Sequence, residues 1–123
     1  MPEYRVNSLK QFEELTSSGL SVIKFTASWC GPCVRIAPKF SEFAEKKFSP
    51  PCNFLIIDID EAQNCDMKEL TNKVRSVPTF QFLKDGEIVD TLIGANMTNL
   101  AQKIGSLTTA DNDKGKRKMQ FLK

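Results

Sequence analysis

One stretch of the chain, Trp29-Cys30-Gly31-Pro32-Cys33, constrains the fold more than any other. Before it runs Leu20-Ser21-Val22-Ile23-Lys24-Phe25, a short apolar segment that reads as a buried strand. After it, Val34, Ile36, Ala37, Phe40, Phe43 and Ala44 recur at helical spacing. Two thiols three positions apart therefore sit where a strand hands over to a helix. Residues i and i+3 share a helix face, so the two sulfurs can meet. The first turn of a helix carries unpaired N–H groups and a partial positive charge, which favour thiolate over thiol. A dithiol so placed is a redox pair, in which one cysteine attacks and the other resolves.

The length, 123 residues, allows one domain with a substantial core. Apolar and charged fractions of 41% and 26% place the chain among soluble globular proteins. No run approaches the ~18 consecutive apolar residues of a membrane span, so no membrane association is expected. Met1-Pro2-Glu3-Tyr4-Arg5 has no basic stretch followed by an apolar one, so no secretory signal is expected. In a reducing compartment the four cysteines stay mostly free, and a C-x-x-C pair there points to catalysis. The expected setting is therefore the cytoplasm.

Histidine is absent, which removes histidine-dependent triads and mixed cysteine–histidine zinc sites. A four-cysteine metal site would have to recruit Cys52 and Cys65, which do not form a second C-x-x-C. No metal is expected, and these two read as structural or surface thiols. No glycine-rich nucleotide motif is present, so no bound cofactor is expected. Residues 106–123 hold five Lys/Arg and two Asp, leaving 12 basic and 13 acidic residues for the rest. A body of charge −1 argues against nucleic acid as partner. Lys114-Gly115-Lys116-Arg117-Lys118 reads first as a solvated tail and second as a nuclear-import or acidic-partner patch, which adds the nucleus as a second location.

In chain order, Tyr4-Arg5-Val6 reads as a short edge strand. Ser8 and Gln11 fit a capping box, with the Gln11 side chain reaching back to the cap, and Gly19 stops the helix that follows. The strand 20–26 is apolar enough to be central, with Lys24 its anomaly. The helix from about Gly31 to Lys47 contains Pro38, which should kink it, and Pro50-Pro51 ends the segment. Phe54 to Ile57 is a second strand, and Asp58-Ile59-Asp60-Glu61 reads as its solvated end. Ala62 to Lys73 reads as a weakly amphipathic helix with Met67 and Leu70 inward. Val77-Pro78-Thr79 opens the strand Phe80 to Lys84, and Asp85-Gly86 turns it into Glu87 to Ile93. A last helix, Met97 to Leu107, buries Leu100, Ile104 and Leu107. The class is α/β: a mixed five-stranded sheet with helices on both faces, in the order β-α-β-α-β-α-β-β-α. The domain spans 1–107, and 108–123 form a polar, basic, flexible tail outside it.

These residues resemble the thioredoxin family over about positions 4–107. The resemblance rests on Trp-Cys-Gly-Pro-Cys at 29–33, Pro38, Val77-Pro78-Thr79, the Gly86 turn and Gly94, in order and at compatible spacings. It implies the thioredoxin fold and a thiol–disulfide oxidoreductase that reduces protein disulfides. A flavin-dependent thioredoxin reductase would supply the electrons, and the protein would act as a monomer. It implies a cis peptide before Pro78, facing the dithiol. Cys30 would be the exposed nucleophile and Cys33 the resolving thiol, supported by Trp29, Gly31 and Pro32. Trp29, Pro32, Val77, Pro78, Thr79, Gly94 and Ala95 would form an apolar docking rim, with the Val77 backbone pairing with a client strand.

Lys24 departs from that pattern. The family usually has a buried aspartate there, under the resolving thiol, and a lysine where this chain has Ile56. Strand alternation puts residues 54, 56 and 58 on one face. The expectation is that Lys24 points under the dithiol with Asp58 as partner, inverting the usual polarity; the plainer reading is a packed stem whose head reaches water. The stretch from Val22 to Pro38 resembles the thioredoxin domain of thioredoxin-like proteins with a C-terminal PITH domain, a subfamily that also has lysine here. That resemblance implies a rival reading, an adaptor module that docks on a larger assembly with secondary redox activity.

Overall fold

The computed structural model describes residues 3–47 and 52–108. The readings of Pro50-Pro51, of Lys114–Lys118 and of the tail from 109 onward lie outside the described residues. Five strands, β1 (Glu3–Arg5), β2 (Leu20–Thr26), β3 (Asn53–Asp58), β4 (Thr79–Lys84) and β5 (Glu87–Ile93), form one sheet in the order β1-β3-β2-β4-β5. The first three are parallel, and β4 and β5 run antiparallel. The helices are α1 (Leu9–Thr16), α2 (Gly31–Glu42), the single turn α3 (Ile59–Gln63) and α4 (97–108). The β-α-β-α-β-α-β-β-α order and the mixed five-stranded sheet are those expected from the sequence.

Strand alternation divides the core. Leu20 and Val22 of β2 and Phe54 of β3 pack with Phe40 of α2 and with Leu100 and Ile104 of α4. Ile23, Phe25, Leu55 and Ile57 point the other way, onto Phe12 of α1, Ala62 of α3 and Met67. Because β2 is central and covered on both sides, its residues 20–25 are all buried, Lys24 among them. Phe40 stands edge-on to Phe54, with ring centroids 5.4 Å apart. That geometry suits the ring quadrupoles.

Local chemistry sets the element ends. The Gln11 N–H donates to Ser8 Oγ at 3.1 Å, as expected. The return bond differs: Gln11 Oε1 accepts from the Asn7 N–H at 2.8 Å rather than from Ser8. Asp85 and Gly86 have φ of 50° and 87°, the left-handed pair that a tight hairpin needs to match the twist of β4 and β5. Pro38 lies inside α2 on its exposed side, and the helix changes to a π-helical turn over Phe43–Lys47.

The helix expected over 62–73 is corrected. Asp58 caps a turn that begins earlier, at Ile59, and that turn ends at Gln63. A 3-10 turn, Lys68–Thr71, follows separately. Between them the Asp66 carboxylate accepts the Leu9 N–H of α1 at 2.9 Å. A tertiary tie therefore takes the place of continuous helical bonding. Met67 is buried and Leu70 half-buried against the second core, as expected. The last helix includes residue 108, and the Thr108 hydroxyl donates to the Ile104 carbonyl at 3.0 Å.

Candidate active site

The parallel strands β2 and β3 end level with each other, Thr26 opposite Asp58. The segments that leave them therefore lie side by side at one edge of the sheet. From β2 the chain reaches Cys30, which has extended backbone and caps α2. Gly31 and Pro32 occupy the first turn, where the missing proline N–H costs nothing. The Cys33 N–H donates to the Cys30 sulfur at 3.1 Å. The two cysteines are joined as a disulfide, with Cα atoms 5.2 Å apart.

Both sulfurs are covered in this oxidised state. Cys30 is 4% exposed and Cys33 1%, packed with Ala27 against Val77 and Ile59. The expectation of an exposed Cys30 is corrected. As the cap of α2 its sulfur turns inward to the Cys33 amide and lies 3.6 Å from the Val77 carbonyl oxygen. What protrudes instead is Trp29, 67% exposed, with Gly31 and Pro32 also at the surface. A Cβ on Gly31 would meet nothing within 4 Å.

The chain from β3 and the β4–β5 hairpin complete the surround. The Trp29 indole N–H donates to Asp60 Oδ2 at 2.9 Å, which fixes the ring across the end of β3. The Val77–Pro78 peptide is cis. The Gly94 N–H donates to the Pro78 carbonyl at 3.0 Å, and the Thr79 hydroxyl donates to the Ser76 carbonyl at 2.7 Å. Val77, Gly94 and Ala95 are half-buried, while Pro78 and Thr79 are buried. Ile93, opposite Thr79 in the register, is exposed. The structure thus gathers Trp29, Cys30 and Val77–Thr79 at one end of the sheet, with Gly94 bonded to Pro78.

Lys24 and Asp58 do not pair. Lys24 is buried on the α2 side of the sheet, and its Nζ stands 4.8 Å from the centroid of the Phe40 ring, a cation–π contact. Burial lowers its pKa below the ordinary lysine value, while the Glu3 carboxylate acts to raise it and Arg5 to lower it. Lys24 and Asp58 line one cavity with Cys33, but Asp58 Oδ1 accepts the Asp60 and Glu61 N–H groups at 2.9 and 3.1 Å, and Arg5 lies 4.0 Å from its Oδ2. The reading of Asp58 as a solvated strand end is corrected too, since it is buried as the cap of α3. Capping two amides next to an arginine satisfies the carboxylate without the lysine.

Two residues of the surround escaped the sequence reading: Asp60 and Ile59. Only the register reveals them. Once Thr26 is set opposite Asp58, residues just after β3 must flank residues just after β2. No group of three or more His, Cys, Asp or Glu side chains able to hold a metal occurs among the described residues.

Two cysteines at a helix start, joined three positions apart as a disulfide, define a thiol–disulfide exchange protein. The thioredoxin family model matches residues 4–106. Over 96 residues the chain is 44% identical to the thioredoxin of Coprinus comatus, covering 77% of this chain and 88% of that protein. It is 50% identical over 88 residues to thioredoxin H4 of Arabidopsis thaliana, covering 72% and 71%. Among solved structures, a poplar thioredoxin h superposes with a TM-score of 0.77 at 32% identity, over 88% of this chain and 97% of that one. Malassezia sympodialis thioredoxin gives 0.76 at 31%, over 85% and 89%. The chain belongs to the thioredoxin family. It is a thiol–disulfide oxidoreductase that reduces protein disulfides by dithiol exchange.

Proposed function

We propose that Cys30 is the attacking thiol and Cys33 the resolving one, with Trp29, Val77–Thr79 and Gly94-Ala95 as the rim on which a client docks. The observation that carries this reading is the setting of the Cys30 sulfur. It caps α2, accepts the Cys33 N–H at 3.1 Å and lies beside the Val77 carbonyl. In the dithiol state the same amide and the helix N-terminus favour negative charge on that sulfur. Cys33 lies one turn inside the helix, where its N–H serves the Cys30 sulfur.

The Cys30 thiolate attacks one sulfur of a client disulfide, and the other client sulfur leaves with the bonding electron pair and takes a proton from water. Cys33 then loses its proton and attacks the Cys30 sulfur of the mixed disulfide. The bond from Cys30 to the client breaks, and the second client sulfur is protonated. Two electrons and two protons have passed to the client, and the Cys30–Cys33 disulfide remains. A thioredoxin reductase returns it to the dithiol. The protein works as a monomer in the cytoplasm. The Cys30–Cys33 pair closed at the head of α2 favours this enzyme reading over the adaptor, which needs no dithiol.

The test is trapping. Cys33→Ser is expected to accumulate mixed disulfides with clients through Cys30, and Cys30→Ser to accumulate few. Equal trapping by the two variants would reverse or remove the assignment.

A further inference from the structure

The cavity beneath Cys33 holds two charged groups that the exchange just described does not use. Glu3 enters from the edge strand β1, and its Oε1 accepts the Ser41 hydroxyl of α2. Its other oxygen, Oε2, is buried and has no hydrogen-bond partner among the described residues. Lys24 enters from β2, 3% exposed, and among the described residues the contact of its Nζ is with the face of Phe40. A carboxylate oxygen buried without a partner is costly, and an ammonium held largely out of water calls for a counter-charge. Both line one cavity of about 290 Å³, roomy enough for water to bridge them.

The register puts the groups in order. Lys24 is level with Ile56 and Glu3 with Phe54, so Glu3 lies two residues farther along the sheet from the active end. Cys33 lines the same cavity at that end, on α2. Ser41, which holds Glu3, is eight residues on, a rise of ~12 Å along the helix. By register the Lys24 backbone lies between those two levels, and its Nζ reaches across the cavity to the Phe40 ring of α2.

We propose that Glu3 is a positioning residue for the exchange: across the cavity its carboxylate keeps Lys24 charged, and the charged Lys24 favours thiolate at Cys33. The balance of influences on Lys24 is consistent with this, since burial, and to a smaller degree Arg5, lowers its pKa while the Glu3 carboxylate raises it. The other groups facing Lys24 leave Glu3 as its counter-charge. Arg5, on β1, has the same sign as Lys24, and Asp58, on β3, is engaged by Arg5 and the α3 amides. Phe80 on β4 is apolar, and α2 offers only the Cys33 sulfur and the Ser41 hydroxyl. The covalent step is unchanged. The Cys33 proton leaves through cavity water to solvent, the thiolate attacks Cys30, and the client sulfur departs with the electron pair of the broken bond and is protonated by water. Lys24 and Glu3 alter only the free energy of the anion.

The proposal rests on Cys33 as the resolving thiol. Its test is the equilibrium of the Cys30–Cys33 pair with glutathione in wild type, Glu3→Gln, Lys24→Met and the double variant. Glutamine keeps the oxygen that accepts from Ser41. Without the Glu3 charge Lys24 loses its proton more readily, the reduced thiolate loses a cation, and the disulfide is favoured. Glu3→Gln and Lys24→Met are each expected to favour disulfide about tenfold, ~30 mV for a two-electron couple. In the Lys24→Met background, Glu3→Gln is expected to give no shift or one of opposite sign, because there the lost carboxylate acts on Cys33 directly. An equal shift in both backgrounds, or none in Glu3→Gln, overturns the proposal. A second measurement is independent of how the variants fold: the Lys24 ε-carbon resonance of wild type must report an ammonium at pH 7, and a neutral amine there overturns it as well. If the wild-type pair fails to equilibrate with glutathione through Cys30 and Cys33, the exchange assignment itself falls. A normal wild-type equilibrium with silent variants removes the role of Glu3 and Lys24 alone.

Discussion

At the scale of single residues, the two cysteines outside the dithiol show how placement decides reactivity. Cys52 is buried at the start of β3 against the core shared with α2 and α4. Burial pushes its thiol up to about 11. Cys65 lies exposed between the α3 turn and the 3-10 turn. Only thiolate is an effective nucleophile, and at pH 8 a thiol titrating three units higher is thiolate in about one molecule per thousand. Alkylation of the oxidised protein at pH 8 is therefore expected to label Cys65 first and leave Cys52 largely unmodified until the protein is unfolded. Mass spectrometry of the digested protein reads this out. Comparable labelling of both in the folded state would mean that Cys52 is not held in the core.

At the scale of elements, the β4–β5 hairpin carries the rim at one end and a tight turn at the other, and α4 clamps it. Gly86 has a φ of +87°, where a side chain strains the backbone. An added Cβ would meet only the Thr16 carbonyl oxygen at 3.8 Å, an ordinary contact. The cost of Gly86→Ala is thus backbone strain, ~1–2 kcal/mol, measurable by urea denaturation with little expected change in disulfide reduction. Lys103 of α4 bonds Asp90 of β5 at 2.7 Å, and the Thr91 N–H also donates to Asp90. The Lys103 hydrogen bond first, then that of Thr91, lowers the Asp90 pKa. A lowered folded value gives stability that is present above the unfolded value and lost as pH falls through the folded one. For a pair this open to solvent the contribution is ~0.2–1 kcal/mol. Asp90→Asn is expected to lose that amount at pH 7 and less of it at pH 2, checked by thermal unfolding at the two values.

At the scale of the whole molecule, the sheet hides a lysine at its centre, and this shapes how stability follows pH. Burial lowers the Lys24 pKa from its ordinary value of 10.5. Between the lowered value and 10.5 the unfolded chain binds more protons than the folded one, so this group makes stability rise with pH across that window. Lys24→Met removes the titration. The stability of wild type relative to Lys24→Met is therefore expected to increase from pH 7 to pH 10, measured by denaturant unfolding. Parallel behaviour of the two proteins would mean that burying Lys24 costs nothing in charge.

The sequence by itself determined the element order, the central place of β2, the dithiol at the head of α2 and the turn at Asp85-Gly86. Each is written in nearest neighbours: apolar alternation, helical spacing, a cap, a pair of residues that accept positive φ. The division of the expected Ala62–Lys73 helix into two turns was not legible, because the Asp66 carboxylate between them accepts the N–H of Leu9, 57 positions away. The partner of Lys24 was not legible for the same reason. Strand alternation placed Lys24 and Asp58 on one face correctly, but which carboxylate a buried ammonium faces depends on which strand lies beside β3. Only the assembled sheet puts β1 there, bringing Arg5 to Asp58 and Glu3 into the cavity. Charge pairing in a low-dielectric interior acts over distances of a few ångströms, and those distances are set by tertiary register rather than by spacing along the chain.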